Sequence, residues 1–393
     1  MDYGSLGLDQ YLIAKDSLAN SERPNPYEAD SQVSPAVGGI SYYQTSIGRE
    51  YRAIVAMNPL QGAFTDIQAA VNYVDSVGGG NILIEVGTFI PNNHIVIPSN
   101  IGLIGLSNNR SVIDFNNGTY SLTARGTFSN YKRNIIINNL NIINCANGSG
   151  ALVFDYTKDS YITNCLFAGN GTNSGTTGCD VYVSDPRNFY LTNNFSTNSM
   201  RFLWGNDANA DTQYFIVKNN VIETTTKEGM RFTSGYKISI TNNTIKRPSS
   251  DGILITSGMA DADIYGNTID ECFTYGVRLL SGEDKEANTI SGNHIYALGT
   301  ASTNTGISIG SAGFNNIISN NVIRGFDGDG IEISGVDDTT ITGNNIYTNG
   351  EYGIDILNSG CDRSVIVGNS LHGNGTAIRD NGTNSVIANN GTL

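Results

Sequence analysis

From residue 136 onward one short phrase returns at nearly constant spacing: hydrophobic, any, Asn or Gly, Asn, any, hydrophobic. It reads Ile240-Thr241-Asn242-Asn243-Thr244-Ile245, then Ile264-Tyr265-Gly266-Asn267-Thr268-Ile269, and again over 290–295, 318–323, 341–346 and 366–371. Looser copies begin at Ile136, Ile162, Leu191 and Val217. With the second Asn as marker, the phrase falls at 139, 194, 220, 243, 267, 293, 321, 344, 369 and 390, and Cys165 fills one gap. That is 251 residues over ten steps, or 25.1 per step. A fixed period of this size marks a solenoid, whose units bury a core only by stacking on one another.

A second phrase, Gly-hydrophobic-any-hydrophobic, sits between these copies. It reads Gly229-Met230-Arg231-Phe232, Gly252-Ile253-Leu254-Ile255 and Gly276-Val277-Arg278-Leu279, and returns at 306–309, 330–333 and 353–356. Each unit thus holds three short alternating runs, the pattern of half-buried strands. No unit has room for a helix. Three strands per coil of about 25 residues predict an all-β chain, a single-stranded right-handed parallel β-helix of about 12 coils. An Asn stacked inside each turn can bond the backbone of its own and adjacent coils, satisfying polar groups that would otherwise be buried unpaired.

Composition narrows the partners. Only 15% of residues are charged and the formal net charge is −14, which excludes the basic face that nucleic acid needs and gives no attraction to anionic membranes. Glycine is abundant, at 46 residues, and proline scarce, at 8, as regular turns require. The five cysteines (145, 165, 179, 272 and 361) form no C-x-x-C pair, so they read as buried small hydrophobes rather than zinc ligands or a disulfide frame. No run of about 18 apolar residues could span a membrane. The first residues lack the basic and apolar regions of a signal peptide.

Ahead of the repeat, residues 65–77 predict the one good helix. Thr65 and Gln68 have capping-box spacing, Ile67, Ala70, Val71 and Val74 share a face, and Gly78-Gly79-Gly80 ends it. Here the residues Phe64-Thr65-Asp66-Ile67-Gln68-Ala69-Ala70-Val71, Gly78-Gly79-Gly80-Asn81-Ile82-Leu83-Ile84, Val86-Gly87-Thr88-Phe89, Ile97-Pro98-Ser99-Asn100-Ile101 and Val112-Ile113-Asp114-Phe115 resemble the pectate-lyase-like superfamily. That superfamily includes phage tailspikes and many polysaccharide lyases, hydrolases and epimerases. The resemblance runs from about 63 to 390. It implies that the helix caps the N-terminal end of the core, and it bears more on fold than on reaction. Residues 61–393 are therefore expected to be the β-helix, and 1–60 an arm or attachment segment. The last repeat, Ile387-Ala388-Asn389-Asn390, carries no evident cap over its open edge.

The resemblance also implies that the Gly-hydrophobic-any-hydrophobic strand faces a substrate groove. Its outward residues are expected to be Tyr182, Arg201, Arg231, Leu254, Arg278, Ser308, Glu332 and Asp355. At the strand mouth the expected residues are Cys179, Asn198, Glu228, Asp251, Tyr275, Thr305, Asp329 and Tyr352. Long turns at 168–178, 205–213 (with Trp204 and Asp207) and 297–305 are expected to wall the groove. Between them, Glu228 and Asp251 are candidate acid and base, with Arg231 beside them. Arg201 and Arg278 would hold anionic or hydroxyl groups, and Tyr182, Tyr275 and Trp204 would stack on sugar rings. The same residues would also suit a solvated strip of ion pairs joining neighbouring coils. A second acidic cluster, Asp329, Glu332 and Asp355 with Asp327, would suit a carboxylate pair or a calcium ion; no other cofactor or metal is expected. His94, His294 and His372 are scattered and read as turn or surface residues. The Tyr-Gly-x-Asp-Pro-His signature of alginate epimerases and lyases is missing, as is the polygalacturonase Asp-Asp and His-Gly pattern.

These features predict a glycan depolymerase, hydrolase or lyase, acting on a polysaccharide outside the cell or on a virion. The alternatives are a glycan-binding adhesin or tail fibre without catalysis, and a structural spacer. The tailspike resemblance implies a homotrimer.

Overall fold

In a computed structural model, the described residues are 43–44, 50–58, 63–146, 148–171, 178–206, 213–257, 259–280, 287–297, 304–310 and 313–392. The chain winds into a parallel β-helix whose coils each contribute one strand to each of three sheets. In the repeat, the strand carrying the first half of the Asn phrase (such as Asp263–Tyr265) joins the first sheet. A turn later, Thr268–Cys272 joins the second, and after a corner Tyr275–Leu279 joins the third. Strands pair with their counterparts one coil away, in parallel and in register: Ile240 with Ile264, Ile245 with Ile269, Ile253 with Val277. The second and third sheets have 12 strands each, as the period requires.

Stacked inward columns make the core. Ile240, Ile264, Ile290, Ile318, Ile341 and Ile366 are buried in the first sheet, and a file of rings, Phe154, Phe189, Phe215 and Phe232, fills the wider middle coils edge to face. The Gly of the second phrase is fixed by crowding: a Cβ on Gly276 would lie 2.2 Å from Ile295 Cγ2 and 2.6 Å from the Gly306 carbonyl of the next coil. All five cysteines are buried.

The Asn ladder runs unbroken from Asn194 to Asn390. At Asn267, Nδ2 donates to the Ile240 carbonyl (2.8 Å) and to Asn293 Oδ1 (3.0 Å), while Oδ1 accepts from the backbone N–H (2.9 Å) and Nδ2 (3.0 Å) of Asn243. The residue before it holds positive φ, 54° at Asn242 and 66° at Gly266, which is why only Asn and Gly alternate there. Asn139 is not a rung. It occupies this preceding seat (φ 59°), and Leu140 stands in the ladder column beside Cys165. The first phrase is therefore shifted by one residue, because a Leu in an apolar coil needs no polar partner.

The helix spans Ile67–Ser76, and Ile67, Ala70, Val71 and Val74 are buried against the first coil. Its N-cap is Asp66, whose carboxylate accepts from the Ala69 N–H at 2.7 Å, not Thr65. Gln68 instead pairs with the Val96 backbone, accepting from its N–H at 2.6 Å. Ala53–Val55, inside the segment expected to be an arm, already pairs with Ile82–Ile84 as the first strand of the first sheet; residues 1–42 lie outside the described residues. Among the described residues no helix is long and apolar enough to cross a membrane.

Asp180 places a carboxyl against the core. Asp180 is fully buried in the column that holds Gly in later coils, and it accepts from Ser196 Oγ (2.5 Å), Ser199 Oγ (2.6 Å) and Asn170 Nδ2 (2.9 Å). Burial outweighs these bonds and lifts its pKa to about 7. A raised folded pKa stabilises the fold fully below the ordinary Asp value and loses that stabilisation as pH rises through 7. Asp180 should therefore cost about 2–3 kcal/mol between pH 5 and pH 8. Melting curves of Asp180→Asn against wild type check this: the variant should lose that decline, and an unchanged pH slope would reject it.

Candidate functional site

The third sheet turns two columns of side chains outward along its strand starts. Register fixes both. The outer column runs Tyr182, Trp204, Arg231, Leu254, Arg278, Ser308, Glu332, Asp355, Arg379, each paired with its neighbour one coil on. The mouth column, one corner earlier, holds Arg201, Glu228, Asp251, Tyr275, Thr305, Asp329 and Tyr352 in the same order of coils. Adjacent coils are about 4.8 Å apart, so the two columns make a dense strip.

Arg201 belongs to the mouth column, not the outer one, and Asn198 is not at the mouth. Trp204, taken as part of a turn, is on the strand Leu203–Asn206 and fills the outer position. Arg201 is thereby placed one coil from Glu228, and its Nε lies 2.5 Å from Glu228 Oε2 with both side chains nearly buried. Arg231 reaches the other carboxylate oxygen at 3.7 Å. Both guanidiniums pack over the Trp204 ring, at 5.5 and 5.3 Å from its centroid. The stability consequence is direct. Arg201→Met leaves a nearly buried carboxylate with only the more distant Arg231, and should cost about 3 kcal/mol, measured as a lower denaturation midpoint at unchanged slope.

Asp251 follows Glu228 by one coil and is 2% exposed. Thr274 Oγ1 donates to its Oδ1. Burial raises its pKa, Thr274 and the Arg278 charge lower it, and the Glu228 charge raises it, with a net rise. The two neighbouring carboxyls thus sit in different surroundings: Glu228 is paired with two arginines, while Asp251 has a carboxyl whose pKa burial raises. Paired carboxyls whose environments push them apart are the usual arrangement for acid and base.

Tyr275 lies next along the strip, and Arg278 packs over its ring at 4.1 Å. The Nε atoms of Arg231 and Arg278 and Nε1 of Trp204 are buried beneath this face and have no hydrogen-bond partner among the described residues.

Beyond Tyr275 the acidic cluster continues the same strip. Glu332 and Asp355 are outward neighbours on successive coils, as their spacing predicts. Asp355, fully buried, is gripped by Arg379, whose Nε and Nη2 lie 2.6 and 2.5 Å from its two oxygens. Glu332 accepts from Ser308 at 2.9 Å. Asp329 is the carboxyl with a pKa lifted to about 6, chiefly by burial; the Tyr352 N–H bond opposes this, and the charges of Asp355, Glu332 and Glu351 add to it. Sequence spacing points to the outward pair, whereas the arginine that pairs with Asp355 is one coil further on. No group of three or more His, Cys, Asp or Glu among the described residues gathers into a metal site.

The turns expected as walls lie largely outside the described residues, at 172–177, 207–212 (with Asp207) and 298–303.

The Right handed beta helix region family matches residues 82–269, 195–327 and 264–392. Among solved structures, the catalytic unit of the GH87 alpha-1,3-glucanase from Streptomyces thermodiastaticus aligns with a TM-score of 0.62 at 14% identity, over 83% of this chain. This chain spans only 65% of that protein's length. The A-module of the Azotobacter vinelandii mannuronan C-5 epimerase AlgE4 aligns with a TM-score of 0.58 at 17% identity, over 82% of this chain and 94% of its own. PfbA, a surface adhesin of Streptococcus pneumoniae, gives 0.56 at 15% identity, over 79% of this chain and 86% of its own. At these identities the likeness is one of fold. No curated protein sequence matches the chain.

Proposed function

Since the chain belongs to the right-handed β-helix family, we propose that it is a polysaccharide-processing protein that binds an acidic glycan along the third sheet and cleaves it there. The adjacency of Glu228 and Asp251 in unlike environments carries this reading. Asp251, as the proton-bearing carboxyl, donates to the glycosidic oxygen as the bond breaks. Glu228, paired with Arg201 and Arg231, takes the balancing proton, either from the attacking water in hydrolysis or from the carbon beside the uronate carboxyl in elimination. Arg231 and Arg278 face the polymer's anionic groups, Tyr182, Trp204 and Tyr275 pack against sugar rings, and Arg201 fixes Glu228. The similar enzymes, a glucanase and an epimerase by their descriptions, support a carbohydrate partner on this fold.

The test is incubation with a panel of acidic and neutral polysaccharides, reading reducing ends and the ultraviolet absorbance of unsaturated uronates together. New reducing ends with absorbance identify elimination, and reducing ends alone identify hydrolysis. Neither signal on any polymer rejects cleavage. Retention without cleavage would instead favour a binding role, for which the adhesin PfbA is a precedent of fold.

A further inference from the structure

The second sheet carries its own outward column, and its two halves differ. Upstream are Glu223, Lys246 and Asp270, charged residues of which the first two pair at 3.7 Å. Downstream, four successive coils place Tyr296, Arg324, Tyr347 and His372 beside one another in register. The Arg324 guanidinium lies between two rings, 4.5 Å from the Tyr296 centroid and 5.9 Å from that of Tyr347. The Tyr347 ring stacks on His372 at 5.0 Å with an interplanar angle of 3°. Rings on both sides hold the guanidinium plane, and its exposed N–H groups fan outward.

Among the described residues Arg324 has no ion pair, unlike Arg201, Arg231, Arg363 and Arg379. In a chain of net charge −14, Arg324 is an exposed, pre-oriented cation that no carboxylate of the described residues occupies, and it is open to an outside anion. Three coil steps make the column about 14 Å long, long enough for several units of an extended polymer. It also occupies the coils of Thr305, Asp329 and Tyr352, around one corner from the downstream half of the third-sheet strip.

We propose that Tyr296, Arg324, Tyr347 and His372 form a second, non-catalytic binding site for an anionic polysaccharide, which holds a chain leaving the third-sheet groove. This inference rests on the polysaccharide reading but not on which groove residues cleave. Arg324 meets a carboxylate or sulfate of the polymer, and the tyrosine and histidine edges meet its hydroxyls.

Affinity electrophoresis of the full chain through gels containing alginate, polygalacturonate, hyaluronan or neutral dextran tests it. The wild type should be retarded by at least one polyanion and not by dextran. Arg324→Ala and Arg324→Gln should each weaken that retention about tenfold, with melting temperatures near wild type. Asp251→Asn should leave retention intact while cleavage is lost. Wild-type retention in both Arg324 variants would overturn the second site and leave the groove reading standing. Loss of retention in the Arg324 variants with no cleavage by wild type would sustain the second site and reject the groove reading. Absence of retention on every polyanion would overturn the proposal.

Discussion

Replacing Asn267 by Leu should lower stability by about 4 kcal/mol or more, the largest single effect on the fold. The side chain makes four bonds at once: two given, to Ile240 O and Asn293 Oδ1, and two accepted from Asn243. Leucine fills much of the volume but leaves the Ile240 carbonyl and the Asn243 N–H buried without partners, at about 1–3 kcal/mol each. It also breaks a chain of amides that polarise one another. The same change at Asn390 should cost much less, because Asn390 and its coil are partly exposed, so water can meet the groups that it leaves. Denaturant unfolding of the two variants checks the contrast. Equal losses at both sites would mean that the ladder acts locally and not as a stacked column.

The second large effect is on chemistry. Asp251→Asn should lower kcat by about 10²- to 10⁴-fold, the range for loss of a positioned acid. Stability should barely change, because the raised pKa of Asp251 favours a neutral form that Asn imitates. Glu228→Gln is a poorer test, since it also strips the charge that balances the buried Arg201. The wild-type pH profile follows with a definite sign. An acid works while protonated, so kcat should fall as pH rises through the Asp251 pKa, and that alkaline limb should lie above the ordinary Asp range of about 3.9. A kcat unchanged in Asp251→Asn would remove this residue from the mechanism.

Most of the architecture was legible because the period was. A coil of 25 residues with three alternating runs admits few arrangements, and the Asn and Ile columns fall where the repeat puts them. Register failed where a coil departs from the phrase. Ile136-Ile137-Asn138-Asn139-Leu140 offers two alignments, and only packing selects the one with Leu140 in the ladder column. Ser199-Met200-Arg201-Phe202-Leu203-Trp204 lacks the Gly that marks the strand start, so the spacing puts Arg201 in the outer place that Trp204 fills, and Trp204 in a turn. That slip of three residues also hides the Arg201–Glu228 pair. The buried Asp180 was missed as well. Its signal was present, a carboxylate immediately before Val181 with Ser196 and Ser199 a coil away, but a charge in a column that holds Ala151, Phe202 and then Gly in later coils is visible only once the columns are aligned. The Tyr296–Arg324–Tyr347–His372 column was hidden for a different reason. Its members are spaced by a coil each, and a scattered histidine shows its neighbours only through register.

The most direct test of the third-sheet groove uses the protein's single tryptophan. Trp204 stands in the outer column, edge-on to Tyr182 and under the guanidiniums of Arg201 and Arg231. Its fluorescence, followed while the double variant Asp251→Asn, Arg324→Ala, in which the second-sheet column is disabled, is titrated with oligosaccharides of the retained polymer, should change saturably at the affinity that calorimetry gives. Binding by calorimetry with no change in Trp204 emission would place the glycan elsewhere and contradict the account.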